Sequence, residues 1–191
     1  ALLFAEICAS VGLPAGVVNI ITGDGRTGAA MVEHADVDKI AFTGSTEVGK
    51  YFLRYAGESN MKHVSLELGG KSPNIVFADC PDLDKAVEAS VGSIFFNQGE
   101  SCNAPSRVLV HASVAERFVE IVAAEAPQYQ PADPLDPSTV MGALVDGTQL
   151  KTVLGYIEAG LGEGARLVTG GRQARRETGG NNVLGHVATG I

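Results

Sequence analysis

Apolar positions along this chain fall into short β-branched runs separated by stretches with helical spacing. That alternation predicts an α/β protein. Residues 1–11 are apolar but carry Glu6, and they predict an amphipathic helix rather than a signal peptide, because no basic segment precedes them. Leu13-Pro14-Ala15-Gly16 breaks that helix. Val17-Val18-Asn19-Ile20-Ile21 predicts a buried parallel strand. The turn residues of 22–28 lead into a helix over 27–34, and residues 37–43 predict a second strand. Gly44-Ser45-Thr46-Glu47-Val48-Gly49 turns the chain into a third helix ending near Ala56, and residues 63–68 predict a third strand. The order β-α-β-α-β implies a parallel, doubly wound sheet.

Gly69-Gly70 marks a change of character, so the predicted domains are 1–70 and 71–191. Residues 72–77 predict a strand, and the acidic turn 79–84 supplies cap chemistry for a helix over 83–96. Residues 106–111 read as a strand, and 114–126 as an amphipathic helix with Phe118, Ile121 and Val122 on its apolar side. Four prolines make 127–139 a loop. Residues 146–163 predict a helix and 166–169 a strand. The polar, glycine-rich stretch 172–191, with Val183-Leu184 as its one apolar patch, predicts a loosely ordered tail.

Composition narrows the function classes. Of 191 residues, 45% are apolar and 19% charged, enough to bury a sizeable core. The net charge of −8, with no basic run, argues against nucleic acid or an anionic membrane as partner. No apolar stretch is long enough to span a bilayer. Cys8, Cys80 and Cys102 form no CxxC motif, and His34, His63, His111 and His186 are scattered singly, so no metal set is expected. A reducing, cytoplasmic compartment fits three cysteines that cannot all pair.

Three segments carry candidate chemistry. The turn Gly44 to Gly49 follows a strand and opens a helix. Free N–H groups there suit a phosphate, and Ser45 adds a hydroxyl. Tight strand–helix packing explains the same glycines equally well, since the full GxGxxG fingerprint is absent. Glu67 sits between Leu66 and Leu68 at a strand end, where ligands gather in open α/β sheets. Partial desolvation would raise its pKa towards that of a general base; pairing with Lys71 is the structural alternative. Cys102 follows Asn97-Gln98-Gly99-Glu100-Ser101 in a predicted loop, reachable by a ligand if not packed as a small hydrophobe.

Taken together these segments resemble a known family. FTGSTEVG (42–49), LELGGKSP (66–73) and FFNQGESCNAPSR (95–107) look like three consecutive signatures of the NAD(P)-dependent aldehyde dehydrogenases, and PAGVVN (14–19) is similar to a fourth. Residues 129–146 resemble the branch acting on γ-glutamyl-aminobutyraldehyde and related aminoaldehydes. The resemblance implies the end of a Rossmann-type cofactor domain followed by the start of an α/β catalytic domain. It implies Cys102 as nucleophile and Glu67 as general base. Gly44, Ser45 and Gly49 would line the cofactor diphosphate, with Leu68 and Gly69 near the nicotinamide. NAD or NADP is the implied cofactor, a small-molecule aldehyde the substrate, and a homo-oligomer the assembly.

The same resemblance implies departures. The family's ribose-binding lysine and acidic residue, its oxyanion-hole asparagine, its glutamate–phenylalanine pair and its oligomerisation strands find no match in residues 1–191. The chain therefore reads as a central portion that does not complete a cycle alone. Glu100 stands where many relatives carry glutamine, placing a negative charge two residues before the thiol. An inert interaction module and a cofactor-independent esterase or thioesterase are the competing readings.

Overall fold

The computed structural model describes residues 1–183 and 187–189. The chain divides into two compact units, the first Ala1–Leu68 and the second beginning at Gly69.

In the first unit α1 (Leu2–Ser10) and α2 (Gly25–Glu33) precede β1 (Lys39–Gly44), α3 (Thr46–Glu58) and β2 (His63–Leu68). Strands β1 and β2 are parallel and in register from Lys39↔His63 to Gly44↔Leu68, with α3 as the crossover between them. Period-two alternation turns Ile40, Phe42, Val64, Leu66 and Leu68 towards α3, where Phe42 stacks on Phe52 at 4.3 Å. The opposite face shows Ala41, Thr43, Ser65 and Glu67 to solvent.

Two helix starts are set by side-chain caps. Asp24 accepts the N–H of Arg26 at α2, and Ser45 accepts that of Val48 at 3.2 Å at α3. Helices α2 and α3 are locked by a buried lysine. Lys62 donates from Nζ to the carbonyl of Val32 in the last turn of α2 and, at 2.8 Å, to Ser59 Oγ at the end of α3. A cation at two helix C-termini is favoured by the aligned peptide dipoles.

Two expectations for this unit fail. Residues 17–21 form no strand, and Val17 is 63% exposed. A β-branched run becomes a strand only where a neighbour satisfies its N–H and C=O groups, and β1 pairs with β2 alone among the described strands. The predicted doubly wound sheet is accordingly two-stranded here. Helix α1 forms, but buries no residue, so its apolar positions line no core.

The second unit opens with β3 (Pro73–Val76), α4 (Leu83–Phe95), β4 (Arg107–Val110) and α5 (Ala112–Glu125). Strands β3 and β4 are parallel, pairing Val76 with Val110 and Ile75 with Leu109. Helices α4 and α5 bury Val76, Val87, Val91, Phe95, Phe118 and Val122 in one core, which Met141 closes from the loop that follows. Beside it Asn74 donates to Ser90 Oγ, which donates to the carbonyl of Ala86, so the buried Ser90 hydroxyl is satisfied. Ile75 and Leu109 face outward and stay exposed.

The proline loop is pinned by a bridge between Pro131 and Met141. Helix α6 (Gly147–Gly162), capped by Asp146, leads to β5 (Arg166–Thr169). The expected loose tail is instead paired: β6 (Gln173–Ala174) with β7 (Asn182–Val183), and β5 with β8 (Val187–Thr189), both antiparallel. Left-handed Arg175 and Gly179 close the β6–β7 hairpin, glycine-rich chain that composition alone reads as loose. The predicted apolar partner Leu184, and His186, lie outside the described residues. Among the described residues no helix is long and apolar enough to cross a membrane.

Candidate active site

Cys102 is set up by the end of α4. After Phe95 the chain takes three successive left-handed residues, Asn97 (φ 48°), Gln98 (φ 58°) and Gly99 (φ 78°). Glycine adopts that conformation freely; asparagine tolerates it; glutamine does not favour it, and each such non-glycine residue costs on the order of 1–3 kcal/mol. A Cβ on Gly99 would press on the carbonyl of Ile94 at 3.2 Å, a second reason for glycine. The run reverses the chain into a turn in which the N–H of Ala104 bonds the carbonyl of Ser101 at 3.1 Å. Cys102 and Asn103 form its tip, both exposed, while Ala104 is buried and anchors it. All three cysteines are free thiols; Cys8 and Cys80 are half-buried, and only Cys102 is exposed.

The turn is braced from two sides within its unit. Gly70 lies against the carbonyl of Cys102, and the neighbouring Lys71 carbonyl accepts Arg107 Nε at 3.0 Å. On the other side Gln98 Nε2 donates to the carbonyl of Ala143 at 3.0 Å, and Glu100 Oε1 accepts the N–H of Val145 at 3.4 Å. None of Gly70, Gln98 or the 143–145 segment was singled out from sequence as part of the site. The Asn-Gln-Gly triplet was the available signal for an unusual backbone.

Glu67 is the next-to-last residue of β2, opposite Thr43, on the sheet face away from α3. Its carboxylate is exposed, which corrects the expected desolvation: no element of its unit covers that face. Lys71, the alternative partner, instead places Nζ on the carbonyl of Gly70 at 3.0 Å.

The Gly44–Gly49 turn splits into two parts. Gly44 is exposed at the end of β1, with the ring of Phe42 where its Cβ would stand. Ser45 Oγ spends an acceptor lone pair on the α3 cap and keeps its O–H to donate. Gly49 is buried and faces inward: a Cβ there would meet Leu68 Cδ2 at 2.9 Å. Gly49 thus seats α3 closely on β2, and Leu68 forms the floor of that contact. Gly69 is exposed, with open space where its Cβ would be. Among the described residues no three His, Cys, Asp or Glu side chains stand together as a metal set.

The sequence pattern of the aldehyde dehydrogenase family matches residues 1–189. The chain belongs to the aldehyde dehydrogenase family. Among curated relatives, the NADP/NAD-dependent aldehyde dehydrogenase PuuC of Escherichia coli is 47% identical over 171 residues, covering 89% of this chain and 34% of the relative. Among solved structures, γ-glutamyl-γ-aminobutyraldehyde dehydrogenase from Burkholderia cenocepacia superposes with a TM-score of 0.93 at 54% identity, covering 96% of this chain and 37% of that one. Indole-3-acetaldehyde dehydrogenase from P. syringae, in complex with NAD+ and IAA, superposes with a TM-score of 0.96 at 50% identity, covering 99% and 38%. The chain thus spans about a third of the length of the curated relatives it matches. As an aldehyde dehydrogenase-like segment it has the mixed helix and strand make-up of these structures.

Proposed function

We propose that the chain is the nucleophile-bearing portion of an enzyme that oxidises an aldehyde to a carboxylic acid with NAD or NADP, through a covalent adduct on Cys102. The observation that carries this reading is the exposed thiol at the tip of a braced turn, in a chain matched to the family along residues 1–189. The Cys102 thiolate adds to the aldehyde carbon, forming a C–S bond and an alkoxide, a thiohemiacetal. The Cys102 N–H is a donor for that oxyanion. When bound, NAD(P) supplies the acceptor for the hydride lost from this carbon. Glu67 then takes a proton from water, whose oxygen displaces the sulfur from the resulting thioester. Exposure of Glu67 near the end of its strand leaves its carboxylate open to such a water.

The first turn of α3 fits an anionic cofactor. Its N–H groups lack intrahelical acceptors, Ser45 retains an O–H to donate, and Gly44 offers no side chain to stand in the way. We assign Gly44 and Ser45 to the diphosphate. Gly49 and Leu68 shape that end of the unit, Leu68 and Gly69 leading towards the nicotinamide. The substrate belongs to the aminoaldehyde class exemplified by γ-glutamyl-aminobutyraldehyde, a reading supported by 54% identity to the Burkholderia cenocepacia enzyme. A cytoplasmic homo-oligomer completes the proposal; the free thiols support a reducing compartment.

The test is NADH absorbance with a purified subunit of the relatives' length that carries this chain, NAD and a panel of aminoaldehyde, indole-3-acetaldehyde and propanal. The aminoaldehyde should give the highest kcat/KM, and Cys102→Ala should abolish turnover. Turnover that survives Cys102→Ala would sink the mechanism.

A further inference from the structure

We infer that Gln98 and Glu100 are positioning residues: together they fasten the Cys102 turn to the segment 143–145, and this fastening presents the thiol. Its catalytic consequence rests on the reading of Cys102 as nucleophile.

The geometry is a two-point attachment with Gly99 between the points. Gln98 donates to the Ala143 carbonyl and Glu100 accepts the Val145 N–H, so two side chains two residues apart grip main-chain groups two residues apart. The residue between, Leu144, is turned the other way. Its side chain is 8% exposed, and its N–H bonds the carbonyl of Asn181 at 2.8 Å. Asp146 follows at once as the cap of α6. The segment is therefore held by its own core residue, by Asn181 and by a helix start, and makes a fixed anchor. What it anchors needs holding: Asn97 and Gln98 are left-handed, and a disfavoured backbone persists where its surroundings enforce it.

The attachment also explains how an acidic residue stands two positions before the thiol. One carboxylate oxygen is committed to a main-chain N–H just ahead of the N-terminus of α6, where the helix dipole favours negative charge. What Glu100 contributes is an acceptor oxygen, which a glutamine side chain also has. Charge is incidental to the fastening.

Amide hydrogen exchange and steady-state kinetics on the intact protein test this with E100Q, E100A and Q98A. In E100A and Q98A, exchange over 97–103 and 142–146 should quicken about tenfold, as loss of one hydrogen bond predicts, with other segments unchanged. E100Q should exchange like wild type. With propanal and NAD, E100A should lose roughly tenfold in kcat at unchanged KM for NAD, while E100Q stays within about threefold of wild type. E100Q as impaired as E100A in either measurement would overturn the inference, as would E100A exchanging at the wild-type rate. Turnover that survives Cys102→Ala while this exchange pattern holds sinks the catalytic reading of Cys102 and supports the fastening.

Discussion

Gly70 lies so close to the main-chain carbonyl of Cys102 that a Cβ built on it would stand 2.8 Å from that oxygen. No side chain fits there, and the obstacle is backbone, which cannot swing aside as a side-chain tip does. Gly70→Ala should therefore shift the Cys102 turn and cost about 1–3 kcal/mol, the usual range for overpacking. Urea unfolding measures the loss, and alkylation of Cys102 relative to Cys8 measures the shift. Gly69→Ala, with open space at its Cβ, is the control and should change neither by much.

Gly49→Ala sets two effects against each other. Alanine gains up to about 1 kcal/mol over glycine inside a helix. Its Cβ would meet Leu68 Cδ2 at 2.9 Å and Cδ1 at 3.2 Å, with Leu66 Cδ1 at 3.5 Å behind them. Overpacking of that kind costs about 1–3 kcal/mol, so the net change should be a destabilisation of about 1 kcal/mol. A more stable Gly49→Ala protein in thermal denaturation would show that α3 moves off β2 without penalty.

Lys62→Met keeps the aliphatic stem but removes the ammonium. The Val32 carbonyl then loses its donor in a buried place, and the exposed Ser59 Oγ loses the same donor. Leaving a buried group unsatisfied should cost about 1–3 kcal/mol, read by chemical denaturation.

Acid should weaken the start of α2. The Arg26 guanidinium beside Asp24, then the Arg26 N–H, hold the Asp24 carboxyl below its ordinary value of 3.8. A depressed folded-state pKa means the contribution to stability is present above 3.8 and is lost as pH falls through the lower folded value. An NMR titration of Asp24 should give a midpoint below 3.8 that rises in Arg26→Ala. The pair is well exposed, so added salt should raise the midpoint too. A midpoint unmoved by either change would remove Arg26 as the cause.

Much of the fold was legible because local pattern and tertiary context agree. β2 at His63–Leu68 alternates, and both it and β5 at Arg166–Thr169 carry β-branched residues and end at turn signals. The run 17–21 has the same composition and fails, since a strand needs a neighbour that sequence alone does not supply. The hairpin around Arg175 and Gly179 was missed because glycine-rich chain reads as loose until its pairing partner is known. At the site, the exposure of Cys102 was readable from the turn residues before it. The exposure of Glu67 was not, because which face of β1–β2 is covered depends on where α3 packs. The grip of Gln98 and Glu100 on 143–145 joins residues 45 apart, which no periodicity announces.

The mirror-image winding at Asn97, Gln98 and Gly99 limits how this segment is to be engineered. Valine, isoleucine and proline are strongly disfavoured on such a backbone, so randomising these three codons spends a sizeable share of a library on strained products. Diversity aimed at the surroundings of the sulfur belongs instead at Ser101 and Asn103, where the backbone tolerates any side chain the turn leaves exposed or partly so.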